Sequence, residues 1–218
     1  LSSTIDNAEL AKARNIDRIF SGGYSGYFVV TTYDHRLCIV GQFIYADLGK
    51  DQEIVFFRNK YIKHVACGAK FMLIWTDEAL YGLGVNEDCS FIKKTLCFIL
   101  TCFFKVQFGD EHLQNIPYMS PIAVATSIPV QAIQGIDCGS YHSFILTTAG
   151  IPLGAGLNAS KQVSKQDEAP VKKWTPIPLS LFDNEKIIQL ACGSLHTVFL
   201  TENRKIFGIG SNTYFQLK

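Results

Sequence analysis

Cys138-Gly139-Ser140-Tyr141-His142-Ser143-Phe144-Ile145-Leu146-Thr147 recurs, little altered, as Cys192-Gly193-Ser194-Leu195-His196-Thr197-Val198-Phe199-Leu200-Thr201. A third copy reads Cys67-Gly68-Ala69-Lys70-Phe71-Met72-Leu73-Ile74-Trp75-Thr76. The most worn is Gly22-Gly23-Tyr24-Ser25-Gly26-Tyr27-Phe28-Val29-Val30-Thr31. Their glycines, Gly23, Gly68, Gly139 and Gly193, stand 45, 71 and 54 residues apart. A unit of about 50 residues suits a propeller blade of four short strands and their turns. The expected fold is therefore all-β, a β-propeller forming a single domain over 1–218. Its repeat units lie near 17–50, 60–90, 130–160 and 185–218, with an insertion over 91–117.

Each unit carries the same internal logic. Apolar residues three apart lead in: Ile62 and Val65, Ile133 and Ile136, Ile187 and Leu190. At Gly68, Gly139 or Gly193 the chain turns, and glycine there permits φ > 0 or the close approach of another backbone. The run that follows, such as Phe71 to Trp75 or Phe144 to Leu146, is apolar at nearly every position. Such a run predicts a strand buried on both faces, as in a blade held between two others. A Gly-x-Gly step then bends the next strand, in Gly82-Leu83-Gly84, Gly154-Ala155-Gly156 and Gly208-Ile209-Gly210. The one stretch with a helical pattern is Asn7 to Asn15.

These residues resemble the regulator-of-chromosome-condensation repeat family. Its signature runs roughly Ala-Cys-Gly-x-x-His-[Ser/Thr], an apolar strand ending in Thr, then Gly-x-Gly-x-Asn-x-x-Gly-Gln-Leu-Gly. The fourth unit carries Ala191-Cys192-Gly193-Ser194-Leu195-His196-Thr197 and closes with Tyr214-Phe215-Gln216-Leu217; the first closes with Tyr45-Ala46-Asp47-Leu48-Gly49. The likeness is specific in the third and fourth units, weaker in the first, and fails over 87–117. It implies a seven-bladed ring, which needs about 350 residues. Four units opening on Leu1 and closing on Lys218 then read as an arc or fragment of such a ring. The alternative is a closed four-bladed ring, with residues 1–18 supplying the outer strand that the fourth unit lacks.

The chain of 218 residues is 48% hydrophobic and 18% charged, which marks it as globular. A net charge of +1 gives no general pull toward DNA or anionic membrane. No signal peptide opens the sequence and no apolar run reaches transmembrane length. Seven cysteines, an odd number, fit a reducing, intracellular setting, cytoplasmic or nuclear.

Read one copy at a time, the phrase mimics chemistry. Read together, Gly23, Cys67, Gly68, Cys138, Gly139, His142, Cys192, Gly193 and His196 are blade-building positions, since Gly22 and Phe71 stand where a Cys and a His belong. Cys97 and Cys102 lie five apart with His112 beyond, but no fourth ligand completes a zinc site. The Gly-x-Gly steps lack the third glycine and helix of a dinucleotide site. Asp110-Glu111 and Asp167-Glu168 read as solvated loop charge. Asn158-Ala159-Ser160 matches a glycosylation acceptor only by chance. We therefore expect no catalytic residue, no metal and no cofactor.

The insertion holds Thr95 to Phe104, ten uncharged residues, too short to span a bilayer as a helix. It reads as an added strand pair, as a decayed blade or an artefact of the sequence, or as a partner-binding projection presenting Phe98, Phe103 and Phe104. The loop from Ala159 to Lys173 is a further rim candidate for contacts. The expected role is an intracellular protein-interaction platform. By resemblance, the alternative is a guanine-nucleotide exchange factor for a small GTPase, with chromatin as a further family partner.

Overall fold

The computed structural model describes residues 15–22, 26–41, 52–84, 122–124, 126–166 and 168–217. The strands alternate with tight turns and build four antiparallel sheets, each a meander in chain order. The first sheet holds β1 (Ile16–Ser21), β2 (Tyr27–Thr32), β3 (Leu37–Gly41) and β4 (Gln52–Glu53). The second holds β5 (Ile62–Cys67), β6 (Phe71–Thr76), β7 (Leu80–Gly84) and β8 (Ile122–Ala123). The third holds β9 (Ile133–Cys138), β10 (His142–Thr147), β11 (Pro152–Gly156) and β12 (Val171–Pro176). The fourth holds β13 (Ile187–Cys192), β14 (His196–Thr201) and β15 (Ile206–Gly210). The first strands lie side by side in series, β1 on β5, β5 on β9 and β9 on β13, so the sheets form an arc of propeller blades around them.

Three apolar seams join the blades. Val29, Leu37 and Ile39 of the first meet Val65, Met72 and Ile74 of the second. Phe71, Leu73 and Leu80 of the second meet Ile136, Ile145 and Leu153 of the third. Phe144 and Leu146 of the third meet Phe182, Ile187 and Phe199 of the fourth. Successive residues of β6 thus point to opposite seams, which is why its apolar run does not alternate.

The fourth sheet breaks the series. Leu37, Leu80 and Ile206 hold the same register, paired with Thr31, Trp75 and Leu200. Leu37 and Leu80 are 0% and 3% exposed, whereas Ile206 is 75% exposed. In the first two sheets the next blade covers this position. Covering such a side chain contributes about 1.5–3 kcal/mol.

The recurring geometry of the phrase rests on rings rather than on backbone sign. Gly68, Gly139 and Gly193 do not take positive φ. A Cβ at Gly68 would run into the Phe71 ring, and one at Gly139 or Gly193 into the ring of His142 or His196. The expected backbone approach is present at Gly139, where the Gly193 carbonyl would lie 2.5 Å from that Cβ. Positive φ falls instead at the second glycine of each Gly-x-Gly step, as at Gly156 (φ 112) and Gly210 (φ 106). The terminal threonines close the next turns: Thr147 Oγ1 accepts the Ile151 amide at 3.0 Å and donates to the Ile151 carbonyl at 2.9 Å.

The structure revises three expectations. Residues 16–18, weighed as part of an outer strand for the fourth sheet, lie in β1 and pair with β2. The worn first copy is shifted: Ser21 pairs with Phe28 as Cys67 pairs with Met72, so Gly22 occupies the place of Gly68. The insertion was expected between the second and third units. β8 pairs with β7, so residues 122–123 complete the second sheet and do not open the third. The insertion itself, Asn7 to Arg14, Gly23, Phe98, Phe103 and Phe104 lie outside the described residues.

Candidate interaction surface

The repeat phrases converge where β5, β9 and β13 end. Cys67, Cys138 and Cys192, each with its following glycine, line a recess of about 50 Å³. Burial pushes the Cys67 thiol up to about 12 and raises those of Cys138 and Cys192, which leaves all three protonated and poorly nucleophilic. Backbone bonds chain the loops together: the Ala69 amide donates to the Ser140 carbonyl and the Ser140 amide to that of Ser194, both at 3.2 Å. Among the described residues, no group of three or more His, Cys, Asp or Glu side chains is placed to hold a metal ion.

The histidine of the phrase is a clasp between blades. His142 Nε2 lies 2.9 Å from Thr197 Oγ1, and that hydroxyl donates to the Gln162 carbonyl at 3.0 Å. With its proton committed there, Thr197 accepts, so His142 carries hydrogen on Nε2. Burial, with a smaller contribution from His196, holds its pKa down to about 3. The ring is therefore neutral and unsuited to base catalysis near neutral pH. Tyr27 holds the matching register in the first sheet, and its hydroxyl lies 3.0 and 2.8 Å from the carbonyls of Gly68 and Phe71.

Asp137 adds a clasp that no repeated pattern signals. Its carboxylate accepts the amides of Cys138 at 2.8 Å and Cys192 at 2.7 Å, tying the third sheet to the fourth. Burial raises its pKa against the pull of these two bonds. The loop after β11 is likewise committed to structure. Buried Asn158 accepts the Val163 and Ser164 amides at 2.9 and 2.8 Å, which places this acceptor-motif amide inside the fold.

A different surface remains open. A recess of about 240 Å³ lies between the first and second sheets, bounded by Asp17, Arg18, Tyr33, His35, Lys60 and Tyr61. Tyr33 and Tyr61 are 68% and 56% exposed, and the rings of His35 and Tyr61 meet edge to face at 6.3 Å. Lys60 Nζ sits 5.5 Å from the ring of Phe56, another exposed aromatic. Arg18 bridges the blades through the carbonyls of Lys63, at 2.7 Å, and Ile62. Exposed tyrosines with cations around a concave patch are the composition of protein-binding hot spots. Sequence reading missed this site because its members come from strands and turns of two units and mostly lie outside the repeated phrase.

Comparison with known proteins agrees with the geometry. The family described as Regulator of chromosome condensation (RCC1) repeat matches residues 187–216. The chain is 28% identical over 165 residues to the probable E3 ubiquitin-protein ligase HERC4 of Homo sapiens, covering 72% of this chain and 13% of that protein. It is 29% identical over 93 residues to the RCC1 domain-containing protein RUG3, mitochondrial, of Arabidopsis thaliana, covering 43% and 20%. Yeast RCC1 (Prp20), solved bound to Kap60, superposes with a TM-score of 0.67 at 17% identity, over 93% of this chain and 43% of that one. Human WBSCR16 also gives 0.67, at 16% identity, over 96% and 50%. The chain thus spans at most a fifth of these curated relatives. Residues 187–216 carry the regulator of chromosome condensation repeat, and the chain as a whole resembles proteins built from it.

Proposed function

We propose that this chain is a non-catalytic protein-interaction scaffold whose contact surface includes the recess between its first two sheets. The observation that carries the reading is the exposure of Tyr33 and Tyr61 beside bridging Arg18, while the repeat cysteines and His142 are used up in packing. The thiols of Cys67, Cys138 and Cys192, none of them in a disulfide, support an intracellular setting, cytoplasmic or nuclear. No helix among the described residues is long and apolar enough to cross a membrane. The test is a photo-crosslinking residue placed at Tyr33 or Tyr61, followed by binary binding of the captured protein in purified form. Capture of one partner, lost on Tyr33→Ala and Tyr61→Ala, is the expected result; absence of any position-specific adduct overturns the reading.

A second reading is an exchange factor for a small GTPase. Prp20p, whose structure was described with its binding to Gsp1p and histones, superposes with a TM-score of 0.61. The insertion lies in the chain between β7 and β8, which pair with each other in one sheet. Nucleotide release measured across a panel of small GTPases tests it, and unchanged rates remove it. Contact with chromatin belongs to the same likeness, and a histone-binding assay checks it.

A further inference from the structure

We propose that the recess between the first two sheets is a seat for a carboxylate side chain on an acidic peptide segment, a proposal that rests on the scaffold reading. Three cations line it, Arg18, Arg36 and Lys60, against the single carboxylate of Asp17. The carboxylates that pair with Arg36 and Lys60, Asp34 at 2.8 Å and Glu78 at 2.6 Å, do not line the recess. Such exposed pairs are worth about 0–1 kcal/mol, so an incoming anion can compete for both cations. Arg18 uses three of its N–H groups on Asp17, Ile62 and Lys63, and a guanidinium carries five.

A second observation points the same way. Thr31, also on the lining, is 3% exposed, and its Oγ1 is buried without a hydrogen-bond partner. A buried hydroxyl left unpaired costs about 1–3 kcal/mol, and an accepting oxygen in the recess removes that cost. The size selects the ligand. Small-molecule sites usually span about 300–1,000 Å³. At about 240 Å³ the recess suits one anchoring side chain of a longer segment. Tyr33 and Tyr61 at its mouth would pack against the flanking residues.

The test uses the full chain and labelled peptides of alternating Glu and Tyr, with matched peptides carrying Gln or phosphoserine for Glu, read by fluorescence anisotropy. The Glu peptide is expected to bind at least about tenfold more tightly than the Gln peptide and to weaken as salt shortens the screening length. Lys60→Gln and Arg36→Gln are each expected to weaken it by up to about fivefold. Thr31→Val, checked for folding by circular dichroism, should weaken it without changing the salt slope. Equal binding of Glu and Gln peptides, no binding of either, or wild-type affinity in the charge variants overturns the proposal. Preference for phosphoserine over Glu also overturns it, in favour of phosphate. A retained cross-link at Tyr33 or Tyr61 with no acidic selectivity sinks this assignment alone; loss of the cross-link sinks the scaffold reading.

Discussion

His142 Nε2 and Thr197 Oγ1 meet at 2.9 Å across the seam between the third and fourth sheets, each the partner that leaves the other satisfied. Thr197→Val strands the His142 N–H in a buried place, and we expect a loss of about 1–3 kcal/mol. His142→Phe imitates Phe71, which holds the same register in the second sheet. The double variant should cost less than the sum of the singles. Denaturant unfolding of the four proteins gives the coupling, and strict additivity would show that the bond contributes nothing.

Stability should fall in acid through the same ring. Folded His142 titrates at about 3, while an unfolded histidine titrates near 6.5. Between those values the unfolded chain binds a proton that the folded one rejects. The contribution is complete above about pH 6.5 and is lost as pH falls toward 3, by up to about 1.4 kcal/mol per unit. Asp137 acts in the opposite sense, because its raised pKa makes the folded state take up a proton more readily. Unfolding free energies of wild type and His142→Phe across pH 7 to 4 isolate the histidine; parallel curves would sink the assignment.

Gly139→Ala should be severe and Gly135→Ala mild. A methyl at Gly139 meets the His142 ring and the Gly193 carbonyl, whereas nothing lies within 4 Å of one at Gly135. We expect more than about 2 kcal/mol for the first and within about 0.5 kcal/mol for the second. Thermal melts of the two variants decide it, and similar melting temperatures would contradict the packing described.

The uncovered face predicts an asymmetry between residues in the same register. Leu80→Ala should cost about 2–5 kcal/mol, as for a large-to-small change in a core. Ile206→Ala should cost under about 0.5 kcal/mol, because its side chain is mostly in solvent. Equal losses in chemical denaturation would mean that Ile206 is covered in solution.

Thiol labelling should rank the cysteines by seam. Cys67 and Cys138 are buried, whereas Cys192, packed against the seam between the third and fourth sheets, is half-buried. Alkylation under native conditions is expected to reach Cys192 first and the other two only on unfolding. Rapid labelling of Cys138 in the native protein would contradict its burial.

The sequence by itself determined the blades. The spacing of Gly68, Gly139 and Gly193, the unbroken apolar run of Phe71 to Trp75 and the Gly-x-Gly steps report interactions within one unit, and a unit folds by local turns and adjacent strand pairing. Tertiary structure alone decided what happens between units. It placed Gly22 rather than Gly23 in the repeat position, because register follows pairing rather than letter matching. It gave residues 122–123 to the second sheet, because β8 pairs with β7 from far along the chain. It joined Asp137 to Cys192, His142 to Thr197, and Tyr33 to Tyr61 around one recess. Those pairs come from different repeats, and no spacing along the chain records which side chains two packed sheets bring face to face.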